Sequence, residues 1–347
     1  MRVKQIDKET AMSVIELLTK RGKLIDDFLL KMLKLGASSE LYEMAKHQIA
    51  AGGKRVRPAM TVLCCEAVGG SDEAAIPAAA GIELIHNYTL IFDDIIDRSD
   101  LRRGLPTLRA VYGDVMAFLA GMHYREAIFE AARRSAKAER IEKLFSLTIR
   151  KIIEGERLDV LYEQGGRGSE YISKMRFKHV SEDDYRRMIE AKTAVLFEAA
   201  CKAGGVAGGG RAPEIYGLSR YGWNCGVAFQ MKDDILDIVG ETERLGKPAG
   251  KDIEEHKLGN IVVLNSLEEL SKPERDEVLQ TLRSQKISDS AMSNIMELIS
   301  STKAVERAYE KTKFLAQRAQ MSLNALPPSE AKHILLSLAD FIIERTF

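Results

Sequence analysis

Leu90-Ile91-Phe92-Asp93-Asp94-Ile95-Ile96-Asp97 sets three aspartates in an apolar run, and the spacing returns at Asp233-Asp234-Ile235-Leu236-Asp237. On a helix, residues four apart share a face, with Cβ atoms roughly 5–6 Å apart. Each copy therefore aims two carboxylates in one direction. Unpaired carboxylates in such surroundings are expensive to keep charged. Hard divalent cations remove that cost, and oxygen ligands of this kind suit Mg²⁺, which completes its shell with waters and substrate phosphates. The expectation is two acidic helices facing across a cleft and gripping a diphosphate through metal. Asp26-Asp27 and Asp183-Asp184 are internal controls, since neither has the third aspartate. Asp183-Asp184 follows Ser181 and reads as a helix start, where acids favour the macrodipole.

Outward from the motifs, apolar residues recur at the helical period and strand-like alternation is scarce. The pattern predicts an all-α, single-domain helical bundle over 1–347. Helices are expected over 8–35, 40–51 and 58–69, then from a first turn holding Pro77 to about Ser99. Others follow at 107–121, 122–135, 138–163, 182–203 and 212–239, with four or five over 261–347 broken at Pro327-Pro328. Leu101 to Thr107 and Gly246 to Gly259 read as loops. The 347 residues are 45% hydrophobic and 29% charged, with Lys plus Arg equal to Asp plus Glu at 51 each. That balance argues against a nucleic-acid partner. The four cysteines form no Cys-x-x-Cys, and Met1-Arg2-Val3-Lys4-Gln5 is too polar for a signal peptide. A reduced cytoplasmic setting without a transmembrane segment is expected.

Cations accompany the acids. Gly52-Gly53-Lys54-Arg55-Val56-Arg57-Pro58 places three cations after two glycines, which let backbone approach an anion. Arginine forks bind phosphate bidentately, and lysine acts as a point charge. Arg102-Arg103-Gly104 follows the first motif, and Lys192-Thr193, Gln230, Lys247 and Lys257 extend the set. Together they outline two anion sites, one held mostly by metal and one held directly.

The chain resembles a trans-polyprenyl diphosphate synthase, closest to archaeal-type geranylgeranyl and farnesyl synthases. Matching stretches are Gly52 to Pro58, Asp93 to Thr107, Lys192-Thr193-Ala194, Tyr221 to Asp237 and Gly246-Lys247-Pro248. The resemblance implies a bundle of the isoprenoid synthase type around a central active-site cavity. It implies condensation of isopentenyl diphosphate with an allylic diphosphate (dimethylallyl, geranyl or farnesyl). Lys54, Arg57, His86 and Arg103 would hold isopentenyl diphosphate without metal. His86 lies seven residues before Asp93, nearly two turns, and so shares its face. Asp93, Asp97 and Asp233, with Asp94 and Asp237, would hold the allylic diphosphate through more than one Mg²⁺. Arg102, Lys192, Lys247 and Lys257 would add direct charge, with Thr193 and Gln230 near the allylic carbon. A homodimer is implied by analogy.

Relatives of this kind set product length with bulky residues before the first motif. Here Tyr88 and Thr89 stand five and four residues before Asp93, a pattern resembling geranylgeranyl synthases, with farnesyl or longer products as the alternative. Tyr88 is rotated roughly 140° from Asp93 on the helical wheel, so its role as pocket floor comes from the resemblance. The chain departs from the family at Met122, where aspartate is common, and in Glu255-His256-Lys257-Leu258-Gly259-Asn260. Two rivals are a class I terpene cyclase and a non-catalytic partner subunit. The first has no use for Lys54 and Arg57; the second usually loses aspartates that are kept here.

Overall fold

The structure, a computed structural model, describes residues 8–239 and 250–344. In chain order the first helices are α1 (Lys8–Lys23), α2 (Asp26–Lys34), α3 (Ser39–Ala50), α4 (Val56–Glu66) and α5 (Asp72–Ile96). A two-residue ladder, β1 (Leu101–Arg102) with β2 (Leu105–Pro106), precedes α6 (Leu108–Tyr112), α7 (Asp114–Arg133) and α8 (Ala138–Tyr162). Next come α9 (Glu170–Met175), α10 (Glu182–Ile189), a π turn at Glu190–Ala194, α11 (Val195–Ala207) and α12 (Ala212–Val239). The chain continues with α13 (Lys251–Glu254), α14 (Ile261–Glu269), α15 (Lys272–Leu282), α16 (Asp289–Ser300), α17 (Ala304–Ser322) and α18 (Glu330–Glu344). The all-α expectation is met.

Several boundaries differ from the sequence reading, each for a local reason. Helix α5 starts earlier, because Ser71 caps it by accepting from the Ala74 amide and Asp72 and Glu73 fill its first turn. Pro77 therefore lies inside the helix rather than in its first turn. The helix stops at Ile96, short of Ser99. Arg98 takes a left-handed φ of 53°, and the Ser99 amide closes back on the Asp94 carbonyl at 2.9 Å. The expected break near residue 121 falls at Gly113 (φ 83°). Gly121 instead sits within α7 against Phe92, whose ring leaves no room for a Cβ. Leu101 to Thr107 is a hairpin whose turn residues, Arg103 and Gly104, both have positive φ. Two positive φ values match the right-handed twist of a two-residue hairpin.

The chain divides into two compact units. Unit 1 is the chain up to Arg150 with Leu196–Trp223 and Ala319–Phe341. Unit 2 is Lys151–Val195 with Asn224–Arg318 and the chain from Ile342. Unit 1 buries Met60, Leu63, Ile82, Leu84, Ile85, Ile128, Phe145 and Phe197, each contributing roughly 1.5–3 kcal/mol of transfer free energy. Its buried tyrosines keep partners: Tyr124 donates to the Ala45 carbonyl (2.8 Å) and Tyr221 to the Leu335 carbonyl (2.6 Å). Unit 2 buries Tyr185, Ile253, Val262, Val263, Val278, Ile295 and Ile299. No helix among the described residues is long and apolar enough to cross a membrane.

Candidate active site

In unit 1 the basic turn splits its three cations. Arg55 takes a left-handed φ of 49° and turns inward to Glu83, with Asp26 at 3.6 Å. Asn87 supports the same carboxylate through a 2.9 Å bond from Nδ2. Arg55 thus belongs to the core, and Lys54 stands exposed on the turn. Arg57 lies over the Phe197 ring (4.4 Å) and donates to Nε2 of His86 at 3.4 Å. Arg103 donates to the Gly52 carbonyl, and its guanidinium lies against Gly53. The glycines here make room for a guanidinium. Burial, then Arg57, Arg103, Arg102 and Arg55, holds the His86 pKa well below its ordinary value. The imidazole is therefore neutral, and since Arg57 can only donate, the contact selects the tautomer protonated at Nδ1, with Nε2 accepting. Unit 1 thus brings Arg57 and Arg103 to bear on His86.

The first acidic motif lies on the last turns of α5. Asp93 and Asp97 are partly exposed, whereas Asp94 is buried. Arg102 donates to Asp94 Oδ1 through Nε and to Asp93 Oδ2 through Nη2, both at 2.9 Å. Burial raises the Asp94 pKa, Arg102 opposes this, and Asp93 and Asp97 add to the rise. The second oxygen of Asp94 is buried without a hydrogen-bond partner among the described residues. Hard carboxylate oxygens, two of them partly open and one short of a partner, fit a divalent cation. Among the described residues no three acidic, His or Cys side chains are already grouped to hold one. Tyr88, one turn before the motif, packs on Phe92 (centroids 5.0 Å), which meets Phe118 (5.7 Å). Thr89 donates to the His86 carbonyl at 2.8 Å. Met122 is exposed on α7.

In unit 2 the π turn closes with the Val195 amide on the Glu190 carbonyl. Such single π turns are frequent at functional sites. This one presents Lys192 toward α8, where Gly155 permits the approach: a Cβ there would lie 2.3 Å from the Lys192 amide nitrogen. Lys192 then reaches Asp159 (2.6 Å) and Glu156 (2.8 Å). Lys257 shares Asp159 (3.6 Å) and bonds Glu255 (2.8 Å). Burial raises the Asp159 pKa, but the Lys192 and Lys257 ammoniums outweigh it and hold the carboxyl well below its usual range. The departing loop after Glu255 still delivers Lys257. His256 is buried and its Nδ1 lies 3.0 Å from the Leu282 carbonyl, which locks the turn. Lys247 lies outside the described residues.

Thr193 donates to Oε1 of Gln230 (2.7 Å), and Gln230 donates to Asp234 (3.0 Å). Asp234 is fully built in, accepting also from Tyr185 (2.7 Å) and the Ile261 amide (3.0 Å). Its pKa is pushed well up by burial and by Asp252. Asp233 is partly exposed, while Asp237 is buried and accepts from the Asp252 amide at 3.0 Å. Burial and the Asp237 charge push Asp252 up to about 6, with Lys257 opposing. Sequence reading missed Glu156, Asp159, Asp252 and Tyr185. Glu156 and Asp159, three apart and just past Gly155, were legible as two acids on one helix face.

The polyprenyl synthetase family profile matches residues 38–299. The chain is 35% identical over 337 residues to the short chain isoprenyl diphosphate synthase of Methanothermobacter thermautotrophicus, covering 96% of this chain and 99% of that one. Among solved structures it resembles geranylgeranyl pyrophosphate synthetase from Pyrococcus horikoshii (TM-score 0.86, 34% identity, 96% and 99% covered). It also resembles polyprenyl synthase from Caulobacter crescentus complexed with calcium and isoprenyl diphosphate (TM-score 0.84, 29% identity, 96% and 98% covered). The fold is that of the isoprenoid synthases, and the chain belongs to the polyprenyl synthetase family as a prenyltransferase.

Proposed function

We propose that the chain, acting as one catalytic domain over 1–347, condenses isopentenyl diphosphate with an allylic diphosphate to give geranylgeranyl diphosphate. The observation that carries this reading is the unit 1 cluster of Arg57, neutral His86 and Arg103 beside the Asp93–Asp97 motif. It pairs a metal-free anion site with a carboxylate site, as two diphosphate substrates require. With Lys54 and Arg103, Arg57 grips the isopentenyl diphosphate. Bound phosphate charge favours protonation of His86, adding a further donor.

Asp93, Asp94, Asp97, Asp233 and Asp237 are the residues that would hold Mg²⁺, more than one per site; calcium in the Caulobacter relative supports a divalent ion. Bound magnesium supplies positive charge to the leaving diphosphate oxygens. Arg102, Lys192, Lys247 and Lys257 add fixed charge to the same group, where it becomes diphosphate as the allylic carbon–oxygen bond breaks. The isopentenyl double bond then attacks the allylic carbon, and the departed diphosphate takes the proton that is lost. Thr193 and Gln230 orient each other and Asp234, which holds oxygen dipoles near the allylic carbon. Tyr88, braced by Phe92, is the floor that stops elongation, with Thr89 beside it.

The apolar run exposed on α7 (Val115, Met116, Phe118, Leu119 and Met122) supports a homodimer. Four buried free thiols support a reducing, cytoplasmic setting. The test is product analysis by chromatography with each allylic primer. A twenty-carbon product is expected, and a longer one from Tyr88→Ala. An unchanged product from that variant would move length control elsewhere.

A further inference from the structure

The first acidic motif already holds a cation of its own. Nη2 of Arg102 lies 2.9 Å from Asp93 Oδ2 and 2.8 Å from Asp94 Oδ1, and Nε donates to the same Asp94 oxygen at 2.9 Å. Adjacent helix positions are rotated about 100° apart, so one guanidinium reaches two carboxylates that point in different directions. Its backbone is anchored. Arg102 pairs with Leu105 in the hairpin ladder, and Thr107 ties the hairpin back by donating to the Ser99 carbonyl at 2.7 Å. Only the side chain need move for Arg102 to change partner. The fork is planar and always charged, and it suits phosphate as well as it suits carboxylate.

We propose that Arg102 is a stand-in cation for this motif: it neutralises Asp93 and Asp94 until metal and diphosphate arrive, then transfers its fork to the diphosphate. The inference rests on the reading above that Asp93 binds metal. Two positive charges on one carboxylate repel, so metal alone competes with Arg102. Metal that brings a diphosphate offers the displaced guanidinium a better partner. Arg102 therefore opposes metal binding without diphosphate and favours it with diphosphate. Metal–diphosphate enters as a unit, and the acids stay neutralised at every stage.

The predicted sign reversal is measurable without turnover. Mg²⁺ is titrated calorimetrically into the wild-type chain, Arg102→Gln and Arg102→Lys, with and without inorganic diphosphate, after circular dichroism has checked each fold. Without diphosphate, Arg102→Gln should bind Mg²⁺ about fivefold more tightly than wild type; with diphosphate it should bind about tenfold more weakly. Arg102→Lys, charged but without the fork, should fall between. Weaker or equal Mg²⁺ binding by Arg102→Gln in both arms overturns the proposal. So does tighter binding in both arms. If Asp93→Asn leaves wild-type Mg²⁺ affinity unchanged, the metal assignment of Asp93 fails instead. If Arg102→Gln does not fold, Arg102→Lys decides: no change of sign between its two arms refutes the exchange.

Discussion

Gly155→Ala probes how closely the π turn must approach α8. The added Cβ would stand 2.3 Å from the Lys192 nitrogen and 2.7 Å from both the Ala191 carbonyl carbon and the Lys192 Cα. All three atoms are backbone, so no side chain can rotate away. Restoring ordinary contact at 3.4 Å requires the π turn and α8 to part by about 1 Å, and overpacking of this kind costs roughly 1–3 kcal/mol. For a chain of 347 residues the melting temperature should fall by roughly 1–2 °C for each kcal/mol. The larger effect should be on turnover. Lys192 and Thr193 sit on the displaced turn, and a 1 Å misplacement of positioning groups can cost on the order of 100-fold in rate. The assay is kcat/KM for the allylic substrate beside a thermal melt. Gly168→Ala is the control, because a Cβ there meets nothing within 4 Å. Activity and melting temperature both within error of wild type for Gly155→Ala would refute the argument that this glycine sets the approach.

Asp159→Asn should lower kcat/KM for the allylic substrate at least about tenfold, since Lys192 and Lys257 lose the carboxylate that gathers them. The KM for isopentenyl diphosphate should stay put; a matching rise there would mean general damage to the fold. Glu83→Gln strands the buried Arg55 charge with Asp26 as its remaining ion-pair partner among the described residues. It should destabilise by about 3 kcal/mol in urea unfolding, and a loss within error of zero would place Arg55 outside the core. His86 titrates near 6.5 when unfolded and well below that in the fold. Between those values the unfolded chain binds more protons, so stability falls as pH drops through 6.5. The wild-type melting temperature should therefore drop more steeply than that of His86→Asn on acidification below that point, and parallel curves would contradict a neutral His86.

Much of the fold was legible because helix formation is local. The period of apolar residues and caps such as Ser181 act over three or four positions, so α10 begins, and α12 begins and ends, where the pattern predicts. The misread boundaries have local causes with weaker signatures. Arg98 and Gly113 stop helices through positive φ, and the π turn at Glu190–Ala194 has no distinctive residue pattern.

The residue types of the site, its acids and its cations, were set by the sequence alone, because charge in an apolar helical run has few bland explanations. Which of them face a ligand and which hold the fold was decided only in three dimensions. Asp94 and Asp234 occupy the same place in the two motifs, and both turn inward. Asp234 is spoken for by Tyr185 and Ile261, 49 and 27 residues away along the chain. Arg55 goes to Glu83 while Arg57, two residues on, goes to His86. A charged group takes the partner that packing brings within about 3 Å. That proximity arises between helices distant in sequence, where no local spacing rule reaches.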